Sequence, residues 1–348
     1  MDLDSLIFNI GVFIAGVFVL DYGADTFIDH TVIVGRSLGV SQTIIALLTA
    51  GAEYEELAVV VAAILQHRTP LALGNLMGSS ISNILGAFSL GLLFHPTRID
   101  FDRSAKIYAA VLLAVTTLFV VLAFFNQLNK IVGGFLIALF GIYVLSILYA
   151  IYKGVATAPE LADSDSDAGS TDGVVDSVTE ATPLIESQLG QVPERSTRSL
   201  LYHVAQLFFG LIALSLSGYL LSHSAVSIAD SLHLSGTVFG LTVVAFATTL
   251  PEKLIAVLSG SRGHVNIMAA TTAGSNIFLL TLCAGVVALA GDTRNQPDTF
   301  VLFDLICVWV SSLGFFLAVI LGLGRIAGVI FLAAYLAFLA LEFTVYRR

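Results

Sequence analysis

Three glutamates within four positions interrupt an apolar stretch, Ala50-Gly51-Ala52-Glu53-Tyr54-Glu55-Glu56-Leu57. A second acidic turn, Ala247-Thr248-Thr249-Leu250-Pro251-Glu252-Lys253-Leu254, lies inside another. A charged side chain at the centre of a bilayer costs at least about 2.5–3.5 kcal/mol on insertion scales. These groups therefore need compensation from protons, a bound cation or Lys253. Glu53 and Glu56, three apart, share a helix face, whereas Glu55 points about 100° from Glu56. Gly51 and Pro251 stand where a helix can break and free its carbonyl oxygens, which is tolerable only beside a cavity. Carboxylate, hydroxyl and carbonyl oxygens converging at such a break are the ligand set of a hard cation such as Ca²⁺. The competing reading is structural: buried ion pairs, or neutral acids facing a helix crevice. Occurrence of the same feature in two places weighs against it.

A second pair of segments is rich in small and polar residues. Gly74-Asn75-Leu76-Met77-Gly78-Ser79-Ser80-Ile81-Ser82-Asn83 is one, and Thr272-Ala273-Gly274-Ser275-Asn276-Ile277-Phe278 is the other. Gly74 and Gly78 let helices approach closely. Close packing alone does not require Ser79, Ser80, Asn83, Ser275 and Asn276, whose oxygens can complete a cation's shell.

The elements that must hold these residues are membrane helices. Of 348 residues 57% are hydrophobic and only 11% charged, and the mean hydropathy is +0.94. Soluble domains carry about 25% charged residues, so ordinary soluble enzymes are excluded. The net charge of −10 argues against a nucleic-acid partner. Segments of about 20 apolar residues span the hydrocarbon core, and ten are read here: 5–33, 40–65, 71–94, 106–125, 131–152, 200–222, 236–260, 265–291, 300–322 and 326–346. The first has no basic n-region and is read as a retained helix, not a signal peptide. Cys283 and Cys307 both lie in apolar runs, so no disulfide framework is expected. His67, His95, His223 and His264 fall near the expected membrane boundaries. The expected fold is an all-α polytopic membrane protein of ten helices.

Residues 153–199 stand apart, with nine carboxylates against three basic groups. Such a stretch buries too little apolar surface to offset its ordering entropy, and it is read as a disordered cytoplasmic linker. It divides the chain into a first five-helix repeat, 1–152, and a second, 200–348. The halves are related: Glu56 precedes Gly78 by 22 residues, as Glu252 precedes Gly274. An odd number of helices per repeat makes the second copy enter the membrane from the opposite side, the inverted plan of secondary transporters. Lys and Arg fall nine against five on alternate sides, which favours both termini outside.

With these motifs and this repeat, the chain resembles the cation/Ca²⁺ exchanger superfamily. The two inverted α-repeats of that superfamily carry a G-T-S-L-P-E turn and a G-N-x-x-G-S-N turn. Ala247-Thr248-Thr249-Leu250-Pro251-Glu252 and Gly274-Ser275-Asn276-Ile277-Phe278 match in the second copy, and Gly240-Leu241-Thr242-Val243-Val244-Ala245-Phe246 leads in similarly. In the first copy Gly74-Asn75 and Gly78-Ser79 match, and Glu56 takes the acidic position. The resemblance implies that Glu56 and Glu252 are the central Ca²⁺ carboxylates, with Thr248, Thr249, Asn276 and Ser80 lining the sites. Against the family pattern, Glu53 replaces a small hydroxyl, Glu55 a proline, Ser80 an Asn or Asp, and Thr271 an Asn.

The expected function is secondary antiport of Ca²⁺ against monovalent cations, Na⁺ first and H⁺ next, by alternating access in a plasma or organelle membrane. Ca²⁺ and the monovalent cations would be substrates, and no cofactor is expected. Metal contacts are expected from Glu53, Glu56, Glu252, Thr248, Thr249, Ser79, Ser80, Asn83, Ser275 and Asn276. The rivals are a passive cation channel and a non-transporting sensor whose acidic linker is the working part. No Ser/His/Asp set or hydrolase spacing supports an enzyme.

Overall fold

The computed structural model describes residues 3–38, 53–95, 99–152, 197–291 and 301–346. Among these residues all regular structure is helical. In chain order the helices are α1 (Leu3–Ser37), α2 (Tyr54–Leu65), α3 (Thr69–Phe94), α4 (Arg103–Phe124), α5 (Lys130–Tyr152) and α6 (Thr197–Ser231). They continue with α7 (Gly236–Thr248), α8 (Leu250–Ser261), α9 (Val265–Ala290), α10 (Leu302–Leu321) and α11 (Arg325–Thr344). Eight are long and apolar enough to cross a membrane, or nine when α7 and α8 count as one bent span. The expected break at Gly51, the first part of the segment 40–65, and residues 153–196 of the expected linker lie outside the described residues.

Local chemistry sets the ends. Asp102 caps α4 by accepting from the Ala105 amide at 2.7 Å, and Ser235 caps α7 by accepting from Val238 at 3.2 Å. Gly322, at φ +64°, ends α10 in the left-handed region that a side chain would resist. α6 runs nine residues past the expected boundary of 222. Its polar tail stays helical because Ser224, Ser227 and Ser231 donate to the carbonyls of Leu220, His223 and Ser227 at 2.7, 3.1 and 2.8 Å. Hydropathy undervalues serines satisfied within their own helix.

The packing pairs helices that precede residue 153 with helices that follow residue 196. α1 lies along α6. A Cβ on Gly23 would stand 2.9 Å from the Leu214 nitrogen, so glycine permits that approach. The end of α3 (Ser89–Phe94) packs on α11, as the end of α9 (Ala284–Ala290) packs on α5. α3 and α9 are central, with 89% and 72% of their most apolar windows buried, against 17% for α1. Both contain a π-helical turn at matching places, Ser82–Phe88 and Leu279–Cys283. Such turns widen the helix and leave backbone groups free for other partners.

Candidate cation site

Glu252 owes its position to a bend. Pro251 has no N–H to offer the Ala247 carbonyl, so α7 and α8 meet at 49°, with Thr249 (φ −92°, ψ 18°) at the corner. Glu252 then sits in the first turn of α8. On the other side Glu53 is the non-helical residue before α2 (φ −82°, ψ 72°), and Glu56 lies in that helix's first turn. The three carboxylates converge: one oxygen from each of Glu53, Glu56 and Glu252 lies within 4.8 Å of the other two. Glu56 is fully buried and Glu53 5% exposed, while Glu252 is half-buried. Glu55, half-buried, is not one of the three, in keeping with its spacing.

Most of these oxygens have no protein partner. Glu53 Oε2, both oxygens of Glu56 and Glu252 Oε2 are buried without a hydrogen bond. Glu53 Oε1 accepts from Asn83 Nδ2 at 3.2 Å, which leaves Asn83 Oδ1 unpartnered. Ser79 Oγ and Asn276 Oδ1 are buried in the same state, the Asn276 amide donating to the Thr272 carbonyl at 2.7 Å. Thr248 Oγ1 donates within its own helix to Val244 at 3.1 Å. Thr249 Oγ1 donates to the Ala245 carbonyl at 2.6 Å and pairs with Ser82 Oγ at 2.8 Å. Ser275 is buried on α9. Ser80 is buried too, about 100° round α3 from Ser79, and no described hydrogen bond ties it to the carboxylates. The close packing expected of Gly74 and Gly78 is also present: a Cβ on either would collide with α7, at the Thr237 and Leu241 carbonyls respectively.

Several residues at or near the site were not among the expected metal contacts. Asn75, one turn before Ser79, is fully buried with both side-chain heteroatoms unpartnered. Ser82 and Tyr335, joined at 3.0 Å, back onto Thr249. Asp21, Asp25 and Asp29 recur every four residues on α1, partly or fully exposed, and Glu55 lies within electrostatic reach of the first two. Their spacing was the available signal, since charges at a helical period inside an apolar segment imply a wet face.

Among the described residues the convergent ligand atoms are carboxylate oxygens. Carboxylates and unpartnered hydroxyl and amide oxygens suit a hard cation bound by oxygen alone. The sodium/calcium exchanger protein family matches residues 8–149 and again residues 202–344. The sodium/calcium exchanger MaX1 of Methanosarcina acetivorans is 24% identical over 361 residues, covering 96% of this chain and 98% of that one. An uncharacterized membrane protein of Methanocaldococcus jannaschii is 24% identical over 337 residues, with the same coverage of both. Among solved structures, the sodium-calcium exchanger NCX_Mj superposes with a TM-score of 0.59 at 24% identity, covering 96% of this chain and 98% of that one. The chain is thus an integral, multi-pass membrane protein and belongs to the sodium/calcium exchanger family.

Proposed function

We propose that the chain is a secondary antiporter exchanging Ca²⁺ for monovalent cations by alternating access, with Na⁺ the favoured counter-ion and H⁺ next. One observation carries the reading: three carboxylates within 4.8 Å of one another, with four of their oxygens buried and unpartnered. Buried carboxylate oxygens without partners cost several kcal/mol, and a bound cation would offset that cost. Ca²⁺ takes about six to eight oxygen ligands and favours carboxylates. Glu56 and Glu252 would balance its two charges. Glu53, Ser79, Asn83 and Asn276 would add oxygens from the carboxylate side, and Thr248, Ser80 and Ser275 those of the flanking turns, while the oxygens of Thr249 are engaged by Ser82 and Lys253. The names of MaX1 and NCX_Mj, and membership of their family, support Ca²⁺ and Na⁺ as substrates.

In this reading the chain makes ten spans, five plus five, with Tyr54–Leu65 closing the second. Inverted halves trade conformations to expose the site to either side. Ions that bind both facing states equally would shift nothing, so occluded and open forms must hold them differently.

The test is Ca²⁺ uptake into proteoliposomes under Na⁺, K⁺ or pH gradients imposed one at a time. Wild-type protein accumulates Ca²⁺ under the gradient of its counter-ion, and E252Q, present in equal amount, does not. Normal flux in E252Q overturns the assignment.

A further inference from the structure

A lysine beside the carboxylates makes no hydrogen bond to them. Lys253 is 7% exposed, one residue after Glu252, on the first turns of α8. Its Nζ donates to Ser82 Oγ at 2.8 Å, to the Thr249 carbonyl at 3.0 Å and to Thr249 Oγ1. An ammonium has three donors, and three neutral oxygens take them. The Phe246 carbonyl is a more distant fourth at 3.5 Å, and the Phe246 ring centroid lies 4.8 Å away. The cage is built from several helices. Ser82 opens the π-helical turn of α3, and Tyr335 on α11 fixes it from behind at 3.0 Å. Gly86, in the same turn, leaves room for the lysine stem: a Cβ there would stand 3.3 Å from Lys253 Cε.

A ring of neutral hydroxyl and carbonyl oxygens beside an aromatic face is a coordination shell for a monovalent cation. An ammonium is about the size of K⁺ and carries the same single charge. The charge sits within electrostatic reach of Glu252, Glu56 and Glu53. The repeat gives the lysine no counterpart, because the residue after Glu56 is Leu57. A mobile cation in this cage would serve the transport cycle; a tethered one cannot leave.

We propose that Lys253 is a tethered monovalent cation that occupies the Ser82–Thr249 cage permanently, in the place of one exchanged ion. The inference rests on the antiport reading above. It follows that the protein moves one monovalent cation fewer per Ca²⁺ than it would with the cage open. A neutral side chain at 253 vacates the oxygens and leaves one negative charge for a mobile ion to balance.

The experiment compares wild type, K253M, K253Q and K253R in proteoliposomes, with the membrane potential clamped at zero and a tenfold gradient of the driving cation. The readout is the Ca²⁺ accumulation ratio at equilibrium, which is indifferent to a slower rate. One additional coupled monovalent cation raises that ratio by about tenfold, equivalent to about 1.4 kcal/mol. K253M and K253Q are expected to show the rise, and K253R the wild-type ratio. An unchanged ratio in the neutral variants overturns the proposal. If they fold but do not transport, the Na⁺ dependence of thermal unfolding decides. A steeper dependence than wild type supports a newly opened site, and an equal one overturns it. Wild type that accumulates no Ca²⁺ under any gradient overturns the exchange reading, and this inference with it.

Discussion

Replacing Glu53 by Gln should stabilise the ion-free protein and blunt its response to Ca²⁺. Oxygens of Glu53, Glu56 and Glu252 lie within 4.8 Å of one another. At an effective dielectric of 20, each ionised pair at that distance repels by about 3.5 kcal/mol. Glu53→Gln removes two of the three pairs, a gross relief of about 7 kcal/mol, and its amide oxygen can still accept from Asn83. Uptake of a proton offers the wild type another escape, costing about 3.7 kcal/mol at pH 7 for a carboxyl of ordinary acidity. The net gain in ion-free stability is therefore capped at about 4 kcal/mol. The assay is thermal unfolding of detergent-purified protein, first in chelator and then across a Ca²⁺ titration. E53Q should melt higher than wild type in chelator, and the stabilisation by a given Ca²⁺ concentration, which follows RT ln(1 + [L]/Kd), should be smaller. If E53Q melts lower in chelator and both proteins respond equally to Ca²⁺, the three carboxylates do not form a cation site.

Pro251→Ala restores the amide that would pair with Ala247 and should reduce the 49° bend between α7 and α8. Ca²⁺ exchange should then drop severalfold, with protein amount unchanged; full wild-type flux would show that the break is dispensable. Asp25→Asn removes an exposed charge from the acidic row on α1. The initial rate of Ca²⁺ uptake should fall at low ionic strength and approach wild type at high salt, with the equilibrium accumulation unchanged. A salt-independent effect would deny the row a steering role.

Much of this architecture was legible because the membrane leaves few options: only closed helices or barrels span it, and hydropathy marks the helices. The limits 71–94, 106–125 and 265–291 fall within three residues of α3, α4 and α9 at each end. The equal interval of 22 residues pointed to the carboxylates and to the Gly-Ser turns. What hydropathy could not convey was satisfaction within a helix, so the segment 200–222 stopped short of the serine-rich tail of α6. Contacts across the repeat were equally hidden. Ser82, Tyr335 and Lys253 meet over separations of 171 residues or more, apart from the 82 between Lys253 and Tyr335. No local pattern announces such a meeting. Asp21, Asp25 and Asp29 were readable by their spacing, but each alone resembles an ordinary boundary charge.

The claim that these three glutamates hold the transported cation is tested most directly by locating the ion. Anomalous scattering from crystals of the protein grown with Sr²⁺ as a stand-in for Ca²⁺ would do so. The expected result is one strong peak between α2, α3 and the α7–α8 corner, bonded to oxygens of Glu53, Glu56 and Glu252 and lost in E252Q. A peak bound elsewhere, with the three carboxylates left without metal, would contradict it.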